Sequence, residues 1–74
     1  MIKEKIKSYE YEITYTTKVI RELLDYIEVN KDGLSSEYIN EKYLRIEEAG
    51  KNLVICHQNI YNLKRELDTI NLNI

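Results

Sequence analysis

By residue type, Cys56 and His57 are the side chains best suited to chemistry, because a thiol beside an imidazole can form a nucleophile–base pair. Their spacing argues against it. Adjacent residues on a helix point about 100° apart, so the two groups diverge. Cys56 also stands among Leu53, Ile60 and Leu63, the setting of a small buried hydrophobe. A reactive thiol needs exposure and a positive neighbourhood instead. His57, the only histidine, is expected to edge a contact surface, either solvated or bonded to a tyrosine.

Carboxylates gather as Glu10 and Glu12, then Glu22, Asp25 and Glu28, then Glu47 and Glu48. Paired carboxylates in a helical bundle can hold two metal ions, but that arrangement needs Glu-x-x-His on a helix. The residue three before His57 is Val54, so the motif is missing. Lys18, Arg21, Lys42, Arg45 and Lys51 interleave with the acids, as on an ordinary solvated helix face. No glycine-rich phosphate loop, nucleophile elbow or zinc spacing is present. The sequence predicts no catalytic, cofactor-binding or metal-ligating residue and no small-molecule substrate. It reads as non-enzymatic.

The tyrosines say more. Seven of them supply all the aromatic surface, with no phenylalanine or tryptophan. Tyrosine combines a large contact area with a polar tip, which suits interfaces.

What must position these residues is a pair of ladders. Isoleucine recurs every seventh residue at Ile6, Ile13, Ile20 and Ile27, and a second ladder runs Ile39, Ile46, Leu53, Ile60, Leu67 and Ile74. With the ladders as heptad position a, position d holds Ile2, Tyr9, Thr16, Leu23 and Asn30, then Lys42, Ala49, Cys56, Leu63 and Ile70. Such a repeat marks a helical packing seam. One segment competes: residues 9–16 also alternate with period two and are rich in strand-favouring types. The ladder passes through them without a phase change, and no second strand is near, so helix is expected.

Between the ladders lies Asn30-Lys31-Asp32-Gly33-Leu34-Ser35-Ser36. Gly33 is expected to end the first helix in the left-handed conformation. Ser35 is expected to cap the second, with Leu34 stapled on Ile39 and Glu37 at the positive helix end. The expected fold class is therefore all-α: one domain over residues 1–74, an antiparallel two-helix hairpin of coiled-coil type. Its helices span about 2–30 and 35–72, joined by a turn at 31–34. Folding about the turn makes facing residue numbers sum to about 66, which sets Ile6 against Ile60 and Thr16 against Ala49 and Gly50.

Two features exceed what a hairpin needs. The second helix outruns the first, so Leu67, Ile70, Leu72 and Ile74 are expected to lack a mate. Near the turn the flanking positions Val19, Leu24, Tyr26, Tyr38 and Tyr43 are apolar, where a two-stranded seam normally carries charge. Tyr43, Gly50, Val54, His57 and Tyr61 add a second stripe, while Tyr11 and Tyr15 stand further off the seam. Apolar surface of this extent marks a contact site. The expected partner-binding residues are Val19, Leu24, Tyr26, Tyr38, Tyr43, Val54, Tyr61, Leu67, Ile70 and Ile74.

Composition bounds the rest. At 74 residues and with one cysteine, the chain is short of core and has no internal disulfide to compensate, which points to a partner. Self-pairing into a four-helix bundle, as a homodimer, or docking on another protein would supply it. A net charge of −2 argues against nucleic acid, which wants a basic stripe. The beginning, Met-Ile-Lys-Glu-Lys-Ile-Lys, does not read as a signal peptide, and the longest uncharged run, residues 52–63, is too short for a bilayer. No membrane association and a cytoplasmic location are expected. The Ile, Asn, Lys and Tyr bias suggests an AT-rich bacterial or mobile-element genome, such as a phage. The functional expectation is a small regulator, adaptor or inhibitor that works by protein–protein contact. Two alternatives stand beside it. One is a secreted hairpin of the type VII (WXG100-like) kind, although its turn reads Asn-Lys-Asp-Gly rather than Trp-x-Gly. The other is a nucleic-acid-binding regulator using Lys3, Lys5, Lys7, Lys64 and Arg65 at the open end.

Overall fold

The structure is a computed structural model, and it describes residues 1–72. Helix α1 spans Ile2–Asn30, a 3-10 turn follows at Lys31–Gly33, and α2 spans Ser36–Leu72. The two helices pack along each other as a hairpin about 61 Å long and 15 Å across. The alternating segment at residues 9–16 is helical throughout. Strand propensity loses there because an isolated strand has no partner for its backbone groups, whereas a helix satisfies its own.

Burial follows the heptad. Ile6, Ile27, Cys56 and Ile60 are the buried hydrophobes, and all four occupy a or d positions. Ile13, Ile20, Ile39, Ile46, Leu53 and Leu63 are half-buried on the same seam. Cross-helix contacts fix the register near the expected one. Asn52 Nδ2 donates to Glu12 Oε1 at 3.1 Å, and the rings of Tyr26 and Tyr38 lie 6.5 Å apart between centroids.

Three seam positions depart from apolar type, and each has a local reason. Asn30 is exposed at the helix end, where its side-chain amide donates to the Tyr26 carbonyl at 2.9 Å. Lys42 is half-buried with its ammonium 5.0 Å above the Tyr38 ring, so its stem covers the seam while the charge rests on an aromatic face. Thr16 is half-buried, and in the expected register it faces the small pair Ala49 and Gly50.

The turn differs from expectation in one respect. Ser35 Oγ accepts from the Tyr38 backbone N–H at 3.1 Å, which is the expected cap. Gly33, however, is not left-handed; no residue among those described has positive φ. The chain tightens through the 3-10 turn and reverses at Leu34, which is extended at φ −104° and ψ 144°. A 3-10 turn satisfies terminal carbonyls by shorter-range bonds, so no left-handed residue is required.

Candidate protein-interaction surface

In an antiparallel helix pair the e positions of one helix flank the e positions of the other, and g flanks g, so the hairpin has two distinct broad faces. The contacts place them. Glu12, Tyr26, Tyr38 and Asn52 are all g positions, and their two cross-helix contacts define one face. A shallow hollow lined by Glu10, Ile13, Thr14, His57, Ile60 and Lys64 lies on the e side.

The g face is carried mostly by α1. Tyr11, Tyr15, Val19, Tyr26 and Val29 follow one another at helical spacing along its flank, and all but half-buried Val19 are exposed. The α2 side of this face is polar, with Arg45, Asn52 and Asn59. On the e face both helices contribute. Leu24 from α1 and Tyr43, Val54 and Tyr61 from α2 are exposed, with half-buried Thr17 and Gly50 between them. Arg65 lies over the Tyr61 ring, its guanidinium carbon 5.8 Å from the ring centroid.

The expected contact residues thus fall on two surfaces. Val19, Tyr26 and Tyr38 belong to the g face; Leu24, Tyr43, Val54 and Tyr61 belong to the e face. At the open end Ile70 is 45% exposed and Leu72 is 87% exposed, without cover. Leu67 is half-buried, and so is Ile2 at the start of α1. Ile70 and Leu72 are thus the exposed apolar residues of α2 at this end among the described residues. Ile74 lies outside the described residues. Val29, Leu44 and Ile55 are exposed apolar residues that the heptad reading did not single out. The spacing of Val29 from Tyr26, Val19, Tyr15 and Tyr11 was visible in the sequence as a second helical stripe, although the isoleucine ladder dominates the pattern.

Of the two residues best suited to chemistry, Cys56 is enclosed and His57 is exposed. Cys56 is 2% exposed. Burial pushes its thiol above the ordinary value, and the Glu12 carboxylate adds to this by its charge and as a hydrogen-bond acceptor. A neutral, enclosed thiol is a poor nucleophile. His57 is exposed on the e face beside Gln58, Tyr61 and Asn62. Among the described residues no three His, Cys, Asp or Glu side chains are grouped as a metal site, and no helix is long and apolar enough to cross a membrane. No buried side-chain polar atom among them lacks a partner. No protein family, curated protein or solved structure matches this chain.

Proposed function

We propose that this chain is a non-enzymatic protein-interaction module, a small regulator, adaptor or inhibitor of the kind that phages and other mobile elements carry, acting through helix-face recognition. One observation supports the reading above the others. The hairpin buries few side chains, yet it holds rows of exposed tyrosine, valine and leucine on both broad faces. Contiguous apolar surface is costly to leave in water, and a chain of this size needs such surface covered to gain stability. The aromatic residues within it are tyrosines, which tolerate both the free and the bound state.

The test is recognition that depends on the faces. Tyr15→Glu and Tyr61→Glu each place a charge on one broad face at an exposed position, so the hairpin itself should keep its helical spectrum. A binding partner, whether another protein or a second copy, should be lost by at least one of them while a Lys51→Gln control, which shifts the charge equally at an outward f position, retains it. If association of every kind survives both substitutions, recognition does not use these faces and the reading fails.

A further inference from the structure

We infer that the partner covering the e face is a second copy of this chain, laid across the first antiparallel, so that the turn end of each hairpin rests on the open end of the other. The inference rests on the reading of the chain as an interaction module and names the occupant of one of its faces.

Three observations converge on it. The first is where the seam is thin. Buried residues sit toward the ends, with Ile27 near the turn and Ile6, Cys56 and Ile60 toward the opening. Between them Ile13, Ile20, Ile46 and Leu53 are only half-buried. The e positions above this stretch are Thr17 and Gly50, too small to roof it. A Cβ built on Gly50 meets nothing within 4 Å, so close approach of α1 does not explain a glycine in the middle of α2. Glycine there weakens the helix relative to alanine, and nothing inside the hairpin offsets it. An outside surface seated over Thr17 and Gly50 would roof the exposed rungs.

The second observation is charge. Residues 18–48, the turn half, hold five basic and eight acidic side chains, whereas the rest of the chain holds six basic and five acidic. The hairpin is thus polarised along its length, acidic at the turn and basic at the opening. Parallel stacking sets like on like. Antiparallel stacking about a two-fold axis sets the net-acidic half of each copy beside the net-basic half of the other, a long-range bias of the whole hairpin, since the charges on the e face of each half nearly balance.

The third is size and symmetry. A face of 61 by 15 Å presents about 900 Å², close to the roughly 800 Å² per partner of a standard stable interface. A two-fold axis level with Asn52, two residues beyond Gly50, would also carry Tyr43 of each copy to Tyr61 of the other, because each tyrosine lies nine residues from it. The g face offers no such match, since its apolar row lies mostly on α1, with Tyr38 and Ile55 as the apolar residues of α2 on that side.

Sedimentation equilibrium over a concentration series, repeated at low and high salt, tests the pairing on the full chain. The expected result is a monomer–dimer equilibrium that weakens with salt. Tyr61→Glu should raise the dissociation constant about 100-fold or more, as loss of a central anchor does. Tyr11→Glu on the other face should leave it unchanged. Orientation is read separately by spin-labelling Asn40→Cys, since the enclosed Cys56 thiol does not compete for label. Antiparallel pairing predicts an inter-label distance of about 35 Å from a 1.5 Å rise per residue, and a parallel pair gives well under 20 Å. A short distance, or a dimer broken by Tyr11→Glu instead of Tyr61→Glu, overturns the arrangement. A monomer at every concentration overturns self-pairing, yet leaves the interaction-module reading standing if a foreign protein is captured and then lost with Tyr61→Glu.

Discussion

Cys56 illustrates how a residue that looks chemical becomes structural. It sits at a d position between Leu53 and Ile60, and it is closed off by packing. Its thiol is held above its usual range by burial first and by Glu12 second, which favours the protonated form in the fold. For an acid whose folded pKa is raised, the stabilisation is complete below the unfolded value near 9.0 and is lost as pH rises toward the folded value. Two outcomes follow. Cys56 should resist a thiol-reactive disulfide reagent at neutral pH until urea unfolds the chain, as followed by absorbance. The stability advantage of the native chain over Cys56→Ala should shrink above about pH 9 in parallel urea titrations, the ordinary thiol range being passed there. An advantage that grows with pH would contradict the placement.

Elements are set by their ends as much as by their seam. The Ser35 cap satisfies one of the four free N–H groups at the start of α2, and its loss in Ser35→Ala should cost about 1 kcal/mol in urea unfolding. Gly33 behaves differently from a helix-ending glycine. It has no positive φ and open space around its α-carbon, so Gly33→Ala should be neutral or stabilise by about 0.5 kcal/mol through a less flexible unfolded chain. A loss above 1 kcal/mol would show that the turn uses a conformation alanine cannot adopt. Along α2, the pairs Glu41–Arg45 at 3.3 Å and Glu47–Lys51 at 3.9 Å run in the favourable acid-before-base direction. Both are exposed and contribute only a few tenths of a kcal/mol each. They shape solubility more than fold.

At the scale of the molecule, a thin seam leaves stability to be gained from association. If copies pair, the midpoint of thermal unfolding should rise with protein concentration, because the associated state binds only the folded form. Ile46→Ala separates the contributions further. Ile46 is half-buried in the hairpin and would be fully covered in the pair. Its truncation should therefore cost more at high concentration than at low, within the 2–5 kcal/mol range for large-to-small core changes. Equal costs at all concentrations would mean that nothing covers the middle of the seam.

The sequence by itself determined the helices, their direction and nearly their register. An isoleucine every seven residues can bury one stripe only by winding, and a short turn leaves no option but to fold back. The residues at a and d, the Ser35 cap and the enclosed Cys56 were all legible in that repeat. Periodicity could not place the residues off the seam. Whether Tyr61 and Val54 share a face with Leu24 depends on how the two helices roll against each other. That is settled by cross-helix contacts such as Glu12 with Asn52 and Tyr26 with Tyr38. Nor could it show that Gly33 need not be left-handed, that Leu67 stays partly covered, or that the middle rungs lie half open under Thr17 and Gly50. Those features follow from the distance between two surfaces, and that distance exists only once the chain has folded.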